Sequence, residues 1–104
     1  MKISVTENNG QTVISVDGML DSSSAPQFQE EVNELLDLGK TGDELNIAVD
    51  LANMSYTSSQ GIRTILTLLK TVMARQGKLV FRNIQPAVKE VFDMAGISQA
   101  MVIE

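Results

Sequence analysis

Residues 45–73 pass from a nearly all-apolar run into an apolar stripe of helical period, and this hand-over constrains the fold more than any other feature. Leu45, Ile47 and Val49, with Ala48 between them, read as a short strand buried on both faces. Asp50 ends the run, a short polar loop is expected after it, and Ser58-Ser59-Gln60-Gly61 opens the helical segment. Ile62, Ile65, Leu66, Leu69, Val72 and Met73 form the stripe, which Gly77 closes. A second apolar run, Leu79-Val80-Phe81, follows directly, so the segment reads as strand, helix, strand.

The flanking sequence extends this pattern. Ile3–Thr6 and Thr12–Val16 are β-branched runs whose linker contains Asn9-Gly10, a hairpin signal. Ser22-Ser23-Ser24 before Pro26 marks a helix start, with Ala25, Phe28, Val32, Leu35 and Leu36 at helical spacing and Gly39 and Gly42 at its end. Pro86 opens a third helix carrying Val88, Val91, Phe92 and Ala95, stopped at Gly96, and Met101–Ile103 reads as a last short strand. The expected order is ββαβαβαβ: an α/β fold with a mixed, mainly parallel sheet, an antiparallel first strand and helices covering it. With 104 residues and no repeat or linker, residues 1–104 are expected to form one domain.

Composition narrows the function. The formal charge of −5 argues against a nucleic-acid partner, and Lys70, Arg75, Lys78 and Arg82 are spread in a way that suits helix ends and solvation. The chain has no His and no Cys, so the usual metal ligands, general bases and thiol nucleophiles are missing. Neither an enzyme nor a bound cofactor or metal is expected. A receiver-type phosphoacceptor on Asp50 would need an acidic cluster at the end of the first strand, and Met1–Thr6 supplies none. No signal-peptide pattern or membrane-length apolar run is visible, and a cytoplasmic location is expected.

Ser58 and Ser59 sit where a strand gives way to the start of a helix. The first turn of a helix has unpaired N–H groups and the positive end of the dipole. The pair therefore reads either as ordinary N-caps or as acceptors whose phosphoryl group would be tolerated there. Gly61 is expected to let helix and strand approach closely. Asp50 reads as a strand-end cap or a binding group. Leu68 and Met94 fall off the apolar stripes and are either edge packing or part of a contact patch, while the other methionines read as core filler.

Four short pieces, in order and at matching spacing, give the chain a family resemblance. They are Val16-Asp17-Gly18-Met19-Leu20-Asp21; Val49-Asp50-Leu51; Tyr56-Thr57-Ser58-Ser59-Gln60-Gly61-Ile62-Arg63; and Pro86-Ala87-Val88 with Met94-Ala95-Gly96-Ile97. Together they resemble the STAS domain family, the fold of bacterial anti-sigma factor antagonists, over essentially the whole chain. The resemblance implies a phosphorylatable partner-switching protein. Unphosphorylated, it binds a serine-kinase anti-sigma factor and frees the sigma factor; phosphorylated, it lets go, and a serine phosphatase resets it. Ser59 matches the family's phosphorylated serine, with Ser58 as the fallback acceptor. Asp21 matches an aspartate near that serine, or is simply a turn residue. Asp21, Ser58, Ser59, Gln60, Gly61 and Arg63 are the implied partner-binding set. Ser58 replaces the aspartate of the best-known branch, and Gln60 replaces a small hydroxyl residue. An alternative within the family is an interaction subunit of another assembly, such as a lipid-transport complex or stressosome-like particle, with Ser58 and Ser59 serving only as caps.

Overall fold

The computed structural model describes residues 1–104 and begins with the expected hairpin. Asn9 and Gly10, at φ 52° and 82°, join β1 (Lys2–Asn8) to β2 (Gln11–Leu20) in antiparallel register. Two successive positive φ angles suit the right-handed twist of the strands, and Asn-Gly adopts them at little cost. β3 (Asn46–Thr57) lies parallel to β2, and β4 (Lys78–Arg82) lies parallel to β3, in the order β1-β2-β3-β4. The crossovers are α1 (Ala25–Leu36) and α2 (Ser59–Ala74); α3 (Pro86–Met94) follows β4.

Strand alternation sends Ile14, Val16, Ile47, Val49, Leu79 and Phe81 to one face of the sheet. There they join Phe28 and Val32 of α1, Ile65, Leu68, Leu69 and Val72 of α2, and Val88 and Phe92 of α3 in one apolar cluster. Phe28, Phe81 and Phe92 are among the largest fully buried side chains. Burying each contributes about 1.5–3 kcal/mol, which makes this face the main source of cohesion. No helix is long and apolar enough to cross a membrane.

Several local expectations are corrected. Residues 51–57 are not a loop: β3 continues through them to Thr57, with Leu51, Met54 and Thr57 buried. The segment reads as polar because β4 ends where Arg82 pairs with Asp50, leaving later residues a strand neighbour on one side only. Asp50 is therefore inside a strand rather than at its end. Its carboxylate accepts from the Ala52 N–H at 3.0 Å and the Asn83 side-chain amide at 3.3 Å. The last strand shrinks to a single parallel bridge between Phe81 and Ile103, because Ser98–Ala100 coils into a 3₁₀ turn.

The methionines divide. Met54 and Met101 are buried, but Met19 and Met73 are exposed and are not core filler, and Met94, 81 % exposed, is not edge packing. Leu68, by contrast, is fully buried and belongs to no contact patch. α1 ends at Leu36, ahead of Gly39, and Gly42 begins a separate 3₁₀ turn. Arg75 closes the α1 terminus by donating from Nη1 to the Leu36 carbonyl at 2.6 Å, a cation placed at the negative end of a helix. Arg82 instead pairs with Glu104 at 3.0 Å and reaches Gln11 at 2.7 Å.

Candidate functional site

The parallel register of β2 and β3 brings the two ends of the site together. Leu20, the last residue of β2, lies beside Thr57, the last of β3. The next peptide continues the contact, with the Ser58 N–H donating to the Leu20 carbonyl at 2.9 Å. Asp21 and Ser58 therefore leave the sheet side by side, one entering the turn before α1 and the other starting α2.

Ser58 is the N-cap of α2, with extended backbone (φ −96°, ψ 177°) and Oγ accepting from the Gly61 N–H at 3.3 Å. Its carbonyl accepts the first helical bond from Ile62 at 3.0 Å. Ser59 is the first residue of the helix, exposed, and its hydroxyl forms no hydrogen bond within the protein. The two adjacent hydroxyls thus differ: one is spent on capping and the other is free.

Gly61 is buried because α2 starts hard against the end of β2. A Cβ placed there would meet the Thr57 hydroxyl and lie 2.5 Å from the Leu20 carbonyl oxygen. Only glycine permits that approach. Gln60 and Arg63 face outward and line a polar cleft of about 510 Å³ between the first turns of α1 and α2, with Ser22, Gln29, Thr64 and Thr67. The Arg63 guanidinium forms no ion pair.

Ser24 of the three-serine run is the N-cap of α1 but its side chain makes no capping bond, and Asp21 braces the turn that leads into the helix. Its carbonyl accepts from the Ala25 N–H at 2.8 Å, and its carboxylate accepts from the Ser23 and Ser24 N–H groups at 3.0 and 3.2 Å. The Ser23 hydroxyl adds a bond at 2.6 Å, whereas the Ser24 hydroxyl turns back to the Met19 carbonyl at 2.8 Å. The Ser23 hydroxyl, then the Ser23 N–H, hold the Asp21 carboxyl below its ordinary range, with smaller help from Ser24 against slight desolvation. It is a turn residue by geometry and a neighbour of Ser58 by register; the two roles are compatible.

Two residues beside the site do not stand out in the sequence. Met19 and Tyr56 are paired in register across β2 and β3, one residue before Leu20 and Thr57, and are 53 % and 50 % exposed. They form an apolar platform next to the serine turn. The signal for them lies in the alternation: Leu20 and Thr57 point inward, so their predecessors must point out.

The comparisons with known proteins agree with this fold. BtrV of Bordetella bronchiseptica, classed as an anti-sigma factor antagonist, is 31 % identical over 92 % of this chain and 79 % of its own length. A protein of Thermotoga maritima, also classed as an anti-sigma factor antagonist, superposes with a TM-score of 0.87 at 17 % identity, covering 97 % of this chain and 84 % of its own. The Bacillus protein SpoIIAA in its phosphorylated form gives 0.73 at 19 % identity, covering 99 % and 91 %. At such identities the two structures speak for the fold alone. The family model for the STAS domain matches residues 2–104. The chain belongs to the STAS domain family, and its relatives are anti-sigma factor antagonists.

Proposed function

We propose that this chain is an anti-sigma factor antagonist that works by partner switching, with Ser59 as the phosphorylated residue. In its unmodified form it binds a serine-kinase anti-sigma factor, and the sigma factor is released. The kinase transfers the γ-phosphoryl group of ATP to Ser59 Oγ, releasing ADP and the hydroxyl proton. The modified protein then lets go, and a serine phosphatase restores it.

The observation that carries this reading is the difference between the two serines: Ser59 is exposed with a free hydroxyl, whereas Ser58 is engaged with Gly61. Support also comes from the relatives, which are named as anti-sigma factor antagonists, and from SpoIIAA, which has been solved phosphorylated and unphosphorylated. Asp21, Ser58, Gln60, Gly61 and Arg63 complete the partner footprint, and Met19 and Tyr56 extend it with apolar area.

The switch acts at the interface and leaves the fold intact. A phosphoserine adds roughly −1.5 to −2 of charge, which at a helix N-terminus is tolerated or mildly favourable, by about 0.3–1 kcal/mol. That is small beside a domain stability of about 5–15 kcal/mol. At the interface the same charge must be desolvated close to Asp21. A loss of about 3 kcal/mol there weakens binding by roughly two orders of magnitude.

The test is to incubate the protein with ATP and the serine-kinase anti-sigma factors of its own genome, then map phosphate by mass spectrometry. Wild type and Ser58→Ala are expected to be modified at Ser59, and Ser59→Ala to stay unmodified. Phosphate uptake by Ser59→Ala at the wild-type rate would defeat the assignment. Ser59→Asp is expected to melt within a few degrees of wild type while binding the kinase far more weakly.

A further inference from the structure

The two edges of the sheet are finished differently. At the outer edge of β4, the C-terminal segment covers the strand: the Phe81 N–H donates to the Val102 carbonyl at 2.9 Å, and the Glu104 N–H donates to the Phe81 carbonyl at 2.8 Å. β1 has no such cover. It is exposed at every position from Lys2 to Asn8 except the half-buried Ile3.

The tight turn at Asn9-Gly10 makes Asn8 and Gln11 a hydrogen-bonded pair, so the bonds to β2 fall on Lys2, Ser4, Thr6 and Asn8. The N–H and C=O groups of Ile3, Val5 and Glu7 therefore point outward, into solvent. Natural proteins guard such an edge with charges, prolines or bulges. The stretch from Ile3 to Thr6 contains neither charge nor proline, and its register with β2 runs without a bulge. Glu7 is a weak guard, because its carboxylate is occupied by the Thr12 hydroxyl at 2.7 Å.

This edge is complementary to itself. A two-fold axis perpendicular to the sheet at Ser4 sets Ile3 against Val5 of a second copy, and Val5 against its Ile3, each pair using both outward backbone groups. The Val5 side chain, 39 % exposed, then gains an apolar neighbour on the helix-bearing face. On the opposite face Lys2 meets Thr6 and Ser4 meets Ser4, so no like charges oppose one another. We propose that the chain associates with a second copy through β1, forming one continuous eight-strand sheet by edge pairing of two four-strand sheets. In that dimer the two serine turns lie at opposite ends of the joined sheet, and both Ser59 hydroxyls stay accessible. The pairing is independent of whether Ser59 is modified.

The experiment is analytical ultracentrifugation of the full chain from micromolar to millimolar concentration, with amide hydrogen exchange on the same samples. The expected result is a monomer–dimer equilibrium in which protection at Ile3 and Val5 rises with concentration, while Ser4 and Thr6 are protected throughout by β2. Ser4→Lys, which sets two like charges face to face at the axis on an exposed position, should weaken the dimer several-fold without lowering monomer stability. Val5→Pro removes only an outward N–H and should abolish pairing. A monomer at every concentration would overturn the proposal, as would a dimer that neither substitution weakens.

Discussion

The two halves of β3 share one strand but not one role. From Asn46 to Asp50 the strand is flanked by β2 and β4, and Ile47, Ala48 and Val49 are fully buried. From Leu51 to Thr57 only β2 remains alongside, and burial reduces to Leu51, Met54 and Thr57. On the vacated side a side chain stands in for a strand, with Gln85 donating to the Ala52 carbonyl at 2.7 Å. The difference teaches where a site can be built on a sheet. The first half is committed to cohesion, and the second, with exposed positions at Ser55 and Tyr56, delivers Ser58 and Ser59 to the surface on a rigid support.

The largest effect should come from the first half. Ile47→Ala removes a core side chain between two strands and is expected to cost about 2–5 kcal/mol in urea unfolding, whereas Ser55→Ala in the second half should stay within about 0.5 kcal/mol. Equal losses at the two positions would erase the distinction between the halves.

Next in size is Gly61→Ala, where the strand end meets α2. The added methyl collides with the Leu20 carbonyl, and a loss of about 1–3 kcal/mol is expected from forced overpacking. Thermal melts that leave this variant at wild-type stability would mean that the helix start can shift, and the close approach would lose its importance.

The serine pair gives a finer contrast. Ser58→Ala removes a cap and should cost roughly 0.5–1 kcal/mol, at the low end of caps because the bond to Gly61 is long at 3.3 Å. Ser59→Ala, with no bond to lose, should be nearly neutral. Chemical denaturation of both variants decides it, and a reversed order would mean that the capping role belongs to Ser59.

The smallest effect concerns pH. The Asp21 carboxyl is held below its ordinary value in the folded state by Ser23 and Ser24. A group depressed in this way stabilises the fold above its unfolded value, and the contribution is lost as pH falls through the folded value. The stability difference between wild type and Asp21→Asn should therefore be present at neutral pH and shrink on acidification below the ordinary carboxylate range. A difference that grows on acidification would contradict the hydrogen-bonding described for the turn.

Features that rest on near neighbours in the chain are legible in the amino-acid sequence. Asn9-Gly10 announces the hairpin because few residue pairs accept two positive φ angles. Ile65, Leu69 and Val72 announce α2 because apolar spacing of three and four can face one core only on a helix. Ser58-Ser59 announces the helix start, and the family motifs mark the candidate site proposed around it. Features that depend on partners distant in the chain are not legible in this way. Thr57 belongs to a strand because Leu20 lies beside it, and Asn53 and Ser55 carry no local hint of that.

The amino-acid sequence by itself determined the order of elements as far as α3, the location of the hairpin, the amphipathic helices and the serine turn, because each follows from backbone preference and side-chain period over a few residues. Only the tertiary structure decided that β3 runs on to Thr57 beside Leu20, that Met19 lies beside Tyr56, and that Arg75 closes a helix 39 residues away. Those outcomes turn on hydrogen bonds between groups that the chain brings together only after β2, β3 and the helices have packed, and no local pattern encodes a partner that far off.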